Sequence, residues 1–117
     1  MSKNKPIKLG LMAPLTGLVE LYGKEISHAG IIACKQINAS GGLLGRELEL
    51  VIGDDGSLPD TAVPCAVELI EKHKCEAIIG NLLSNSRIAV NYEVATPRKT
   101  PYLNFSFYEG SISGRYF

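Results

Sequence analysis

The sequence predicts an α/β protein with a doubly wound parallel sheet, built in the order β-α-β-α-β-α-β. Three observations carry this. Short apolar runs recur along the chain. Between them lie segments of roughly 10–16 residues with apolar positions at steps of three and four, the spacing of amphipathic helices. Glycine- and proline-rich loops mark each change of period. Strands alternating with helices in this way build a parallel sheet with right-handed crossovers. In the order 2-1-3-4, the first helix lies on one face and the second and third on the other. The loops leaving strands one, three and four then meet at the carboxyl edge, where such sheets take ligands.

Strand one is read at Ile7–Met12, stopping at Ala13-Pro-Leu-Thr-Gly17. Helix one runs from about Lys24 to Ala39, with Ile26, Ala29, Ala33 and Ile37 as its apolar face. Gly41-Gly42 ends it, because glycine takes positive φ without strain. Strand two is Glu47–Ile52, alternating at first and then wholly apolar, as a strand covered on both faces reads. Gly53 to Asp60 is a loop with turn residues throughout. Helix two carries Val63, Ala66, Val67 and Ile70 on one face, with Pro59 in its first turn and Ser57 or Asp60 placed to cap it. Pro64 should kink it. Strand three is Cys75–Gly80, helix three spans about Ser86 to Ala95 and ends before Pro97, and strand four is Pro101–Asn104.

A chain of 117 residues is one domain with a real core. Twelve basic side chains balance twelve acidic ones, so nothing attracts a polyanion and nucleic acid is not an expected partner. No apolar run approaches the ~20 residues of a membrane span. The start Met-Ser-Lys-Asn-Lys-Pro is basic, but no signal-peptide core follows it. The residues alone leave two readings open, a cytosolic protein or an exported one whose signal is absent. Cys34, Cys65 and Cys75 have no zinc or haem spacing and read as free thiols, so no metal or cofactor is expected. His28 and His73 read as surface residues.

Other chemistries fail on placement. Asp54-Asp55 invites comparison with a phospho-acceptor receiver, but the pair follows strand two and Asn81-Leu-Leu83 follows strand three, so a loop turn is its reading. Gly41-Gly-Leu-Leu-Gly45 follows a helix and cannot aim N–H groups at a pyrophosphate. No Cys-His or Ser-His-Asp set can be placed at one edge, so no catalytic residue is assigned and the chain is not read as an enzyme.

The strand and loop Ile7–Gly17, the pair Tyr22-Gly23, the turn Ile37-Asn-Ala-Ser-Gly-Gly-Leu-Leu-Gly45 and Asp54-Asp55 resemble the amino-terminal lobe of type I periplasmic binding proteins, in the leucine/isoleucine/valine-binding family. The ending Phe105-Ser-Phe-Tyr-Glu-Gly110 resembles the urea- and short-amide-binding branch. The resemblance covers nearly the whole chain. It implies two α/β lobes joined by hinge strands that clamp a small polar solute: an amino acid, a short amide or a urea-like molecule. Residues 1–117 would be a single lobe that stops near the crossover to lobe two, without the final returning helix. That helix would have covered Ile7, Leu9 or Leu11. The implied role is the solute-binding component of an ABC-type transporter, periplasmic or otherwise extracytoplasmic, with a membrane permease as partner. The alternative is the sensing input domain of a receptor or regulator. A homodimer through helices two and three is also implied.

The resemblance also supplies site residues. Ser84, in Leu83-Ser84-Asn85 at the start of helix three, matches the position that hydrogen-bonds ligand. Asn104, Ser106 and Phe107, followed by Tyr108, line the pocket by register after strand four. Thr16 and Tyr22 flank the first loop, and an aromatic at the cleft mouth covers the ligand in this family. The residues themselves leave open that Ser84 only caps its helix, that Phe105 and Phe107 are core, and that Tyr22 packs on helix one.

Overall fold

The computed structural model describes residues 5–107. Its elements are β1 (Ile7–Ala13), α1 (Gly23–Ala39), β2 (Leu48–Asp54), α2 (Pro59–Val67), β3 (Ala77–Ile79), α3 (Ser84–Val90) and β4 (Tyr102–Leu103). A 3₁₀ turn, Glu20–Tyr22, leads into α1, and wider π-type turns, Glu68–Lys72 and Asn91–Ala95, extend α2 and α3. The four strands form one sheet in the order β2-β1-β3-β4. Every pairing is parallel, with Ile7 opposite Leu48, Leu9 opposite Ala77 and Ile79 opposite Leu103. The alternating sequence pattern therefore gave the correct architecture and strand order.

The two faces of the sheet are covered unequally. On one, Met12 and Ile78 pack with Ala62, Ala66 and Leu69 of the α2 segment and with Val90 and Val94 of the α3 segment, all essentially buried. Each large aliphatic side chain so buried contributes about 1.5–3 kcal/mol. On the other face, among the described residues, α1 lies over Leu9, Leu11 and Leu50. It sits close because Gly30 meets the sheet: a Cβ there would fall 2.7 Å from Leu11 Cδ2.

That approach corrects the predicted helix face. The buried residues of α1 are Gly23 and Ser27, and Gly30 continues their line. Ile26, Ala29, Ala33 and Ile37 instead line an apolar groove of about 400 Å³ beside the helix, shared with Leu9, Ile79 and Phe105. The face of α2 is rotated likewise, with Ala62, Ala66 and Leu69 buried and Val63, Val67 and Ile70 half-buried. In both helices small residues let the backbone approach the sheet, and larger aliphatics flank the contact. The residues left uncovered also differ from expectation. Ile7 and Leu11 are buried and Leu9 is half-buried, whereas Leu103 and Phe105 are exposed.

Local differences have local causes. α2 runs through Pro64 without ending, and its irregularity comes later, at Glu68–Lys72. Neither Ser57 nor Asp60 caps α2; Leu58 holds the cap position with no side-chain bond. α3 begins two residues before the predicted start, at Ser84. β2 is an edge strand with Glu49 exposed, yet it is covered on both faces as its apolar run implied: Leu50 meets Gly30 of α1 on one, and Val51 and Gly53 meet the α2 segment on the other. The turn after α1 is held by Asn38, whose side chain accepts from Leu48 N at 2.8 Å and donates to Leu48 O at 3.0 Å. Gly42 follows at φ 81°, where a Cβ would meet Arg46 O at 2.2 Å.

Candidate functional site

The carboxyl edge of the sheet is built from three exit loops, and polar side chains bind them to one another. Asp54, the last residue of β2, reaches to the exit of β1. Its Oδ1 accepts from the N–H of Leu15, Thr16 and Gly56 at 3.0, 3.2 and 2.9 Å. Its Oδ2 accepts the Thr16 hydroxyl at 2.7 Å. Desolvation pushes the Asp54 carboxyl up, but the Thr16 hydroxyl and the three N–H donors outweigh it and hold the group below its usual value. Ser57 completes this joint, donating to Thr16 O at 2.8 Å and accepting from Val19 N at 3.2 Å.

Beneath the edge runs a buried relay. Asp55 is 2 % exposed and Asn81 fully buried. Asn81 Nδ2 donates to Asp55 Oδ2 at 2.8 Å, and the Tyr102 hydroxyl donates to Asn81 Oδ1. Burial pushes the Tyr102 phenol well above its ordinary value, against the pull of the Arg87 charge. The exit of β4 is tied in turn to the exit of β3. Asn104 Nδ2 donates to Gly80 O at 3.1 Å and Asn81 O at 3.0 Å. Ser106 Oγ donates to Leu82 O at 3.3 Å.

Above this framework opens a cleft of about 780 Å³. One side is Val19, Tyr22, Glu25 and Ile26, from the first loop and α1; the other is Leu82, Leu83 and Ser84, with Phe105, Ser106 and Phe107 after β4. The walls are mostly apolar, with serine hydroxyls set among aliphatic and aromatic groups. That arrangement suits a small solute with one apolar and one polar end. Behind the wall lies Arg87, 1 % exposed. Its Nη1 donates to Phe107 O at 3.0 Å and its Nη2 to Ser84 Oγ at 3.2 Å.

Of the residues the sequence pointed to, the structure brings Tyr22, Leu83, Ser84, Ser106 and Phe107 to one cleft. Thr16 is not on its wall, since its hydroxyl is spent on Asp54. Asn104 is a strut between two exit loops, and it also accepts from Ser106 N at 3.1 Å. Asn85 is exposed, with its Oδ1 accepting from Ser86 N at 2.8 Å. Tyr108 lies outside the described residues. Asp54 and Asp55 do form turns, but they also join loops far apart in sequence, which spacing does not reveal. Arg87 was missed because an arginine in a helix reads as a solvated charge. The three cysteines are free, with Cys65 and Cys34 half-buried and Cys75 buried. Among the described residues no group of three acidic, histidine or cysteine side chains could hold a metal, and no helix is long and apolar enough to cross a membrane.

Comparison with known proteins gives the family. An amino acid binding protein of Pseudomonas aeruginosa is 33 % identical over 82 residues, 70 % of this chain and 22 % of that protein. A Leu/Ile/Val-binding protein homolog of Brucella abortus is 30 % identical over 109 residues, 93 % of this chain and 27 % of that protein. The chain thus spans only about a quarter of the length of these relatives. Among solved structures, the branched-chain amino acid transporter substrate binding protein LivJ of Streptococcus pneumoniae, in complex with isoleucine, superposes with a TM-score of 0.81 at 26 % identity, over 90 % of this chain and 30 % of that one. A profile of the periplasmic binding protein family matches residues 6–117. With its parallel sheet, its carboxyl-edge cleft and that match, the chain belongs to the periplasmic binding protein family.

Proposed function

We propose that this chain forms one lobe of a two-lobed, non-enzymatic solute-binding protein. Its carboxyl-edge cleft supplies one wall of a site for a small amphipathic solute, with an amino acid bearing an apolar side chain as the first choice. The observation that carries this is the convergence of Ser84 and Ser106 with Leu83, Phe105 and Phe107 on one cleft. The Ser84 hydroxyl there meets the polar end of the solute, and the apolar wall takes its side chain. The same reading makes the protein extracytoplasmic and its partner a membrane permease of the ABC type, to which closed lobes present the solute. The structures and proteins it resembles support this, since their names describe amino-acid binding and transport.

One wall leaves most of a ligand wet, whereas binding pockets bury roughly 70–90 % of it. This lobe alone should therefore bind weakly, with dissociation constants on the order of 1 mM or above. Two-dimensional NMR titrated with L-isoleucine, propionamide and urea tests the proposal. The expected result is movement of the Ser84, Ser106 and Phe107 amides with isoleucine. Movement only with propionamide or urea would shift the solute class to amides. Cleft amides that stay still with all three would overturn the site, and a micromolar complex would overturn the one-lobe reading.

A further inference from the structure

We infer that Arg87 is a positioning residue that points the Ser84 hydroxyl proton into the cleft and so gives this wall a preference for the anionic end of a solute. The inference rests on the solute-site reading above and goes beyond it, because Arg87 itself does not line the cleft.

The argument begins with donor and acceptor counts. A guanidinium has donors only, and a serine hydroxyl has one proton and two lone pairs. Arg87 Nη2 lies 3.2 Å from Ser84 Oγ, so the arginine donates and one serine lone pair is spent toward the interior. The serine proton must then leave in another direction, and no acceptor among the described residues takes it. Ser84 is half-buried on the cleft wall. Its O–H is thus a donor facing the place where a solute would lie. Had the inner neighbour been an acceptor, such as a carbonyl, the proton would have turned inward and left the cleft a lone pair instead.

Two further features strengthen the assignment. Arg87 is 1 % exposed, so water does not compete for the donors that hold Ser84. The guanidinium also holds a second part of the same wall, since Nη1 donates to Phe107 O at 3.0 Å. A planar fork can hold two acceptors in fixed relative positions, which a lysine cannot. Ser84 and the Phe107 backbone are therefore set by one rigid group. A carboxylate at the hydroxyl gains from a proton already turned toward it. A neutral amide gains much less.

The test compares L-isoleucine with L-isoleucinamide, which differ at the carboxyl end only, by NMR titration of the protein. The variant is Arg87→Met; where it does not fold, Arg87→Lys takes its place. Each is made with Ser84 present and in the Ser84→Ala background. With Ser84 present, the preference for acid over amide should fall about tenfold in the Arg87 variant, the scale of a charge-assisted hydrogen bond. In the Ser84→Ala background the Arg87 substitution should leave the preference unchanged. An unchanged preference in the first case, or an equal fall in the second, overturns the inference and leaves the solute site standing. If neither probe moves any cleft amide of the wild type, the solute site itself is overturned. The orientation is then judged on the Ser84 side-chain couplings: a single rotamer that becomes averaged in the variant supports it, and a rotamer already averaged in the wild type overturns it.

Discussion

Asn81 donates to Asp55 Oδ2 at 2.8 Å, joining the exit of β3 to the loop after β2 across a fully buried contact. The amide is suited to this place because it has both a donor and an acceptor to offer. The donor goes to Asp55 and the acceptor takes the Tyr102 hydroxyl. Replacing Asn81 with leucine keeps the volume but strips Asp55 Oδ2 of its amide donor. A buried charged acceptor so stranded costs about 2–4 kcal/mol. Urea denaturation should show a lower midpoint with an unchanged slope, and a midpoint equal to wild type would mean that the relay carries no stability.

Acid should loosen the joint at Asp54. Its carboxyl titrates below its unfolded value, so the charged form is favoured by folding. The stability it contributes is complete above the unfolded pKa of about 4 and is lost as pH falls through the lower folded value. Wild-type stability should accordingly fall more steeply below about pH 4 than that of Asp54→Asn. Thermal melts of both across that range decide it, and parallel curves would remove Asp54 as a source of the acid sensitivity.

Cys65 should be the slowest thiol to react in the folded protein. Burial, and then the charges of Asp55, Asp54 and Glu68, push it up to about 12. Hardly any thiolate then exists at neutral pH, and the thiolate is the reactive form. Labelling with a thiol reagent followed by peptide mass spectrometry should rank Cys65 last. The unfolded, unreduced protein should titrate three thiols. A count of one would mean a disulfide.

Gly23 tolerates no side chain. A Cβ there would lie 2.4 Å from Pro14 O, a backbone atom that cannot swing aside. Gly23→Ala should push the first turn of α1 away from β1, at a cost of about 1–3 kcal/mol. It should also move Tyr22, so the cleft amides should shift in NMR spectra without any solute. Gly30→Ala is the control, because its clash is with the flexible ends of Leu11 and Leu50. Its loss should be the smaller of the two.

The contrast between Gly23 and Ile26 shows how far the sequence could be read. Periodicity finds a helix at Lys24 to Ala39 because a 3.6-residue repeat survives any rotation about the axis. It then assigns the sheet contact to the largest apolar residues, Ile26 and Ile37. The structure buries Gly23 and Ser27 and brings Gly30 onto the sheet instead, because small residues permit close approach and apolar content does not measure distance. Strand order was legible because crossover handedness leaves few arrangements of alternating elements. The positions of Ser84 and Ser106 on the cleft were read from the family resemblance of the motifs around them. The roles of Thr16, Asn104 and Arg87 were not, because each depends on a partner from another loop: Asp54, Gly80 and Phe107.

The exit loops of β3 and β4 are tied together through main-chain acceptors. Asn104 holds Gly80 O and Asn81 O, Ser106 holds Leu82 O, and Arg87 holds Phe107 O. A carbonyl is supplied by whatever residue occupies its position. The side chains of Leu82, Leu83, Phe105 and Phe107 are therefore decoupled from the bonds that keep their loops in place. Mutational drift can resculpt the wall at those four positions, changing the size and shape of what it admits, while the scaffold below keeps its form.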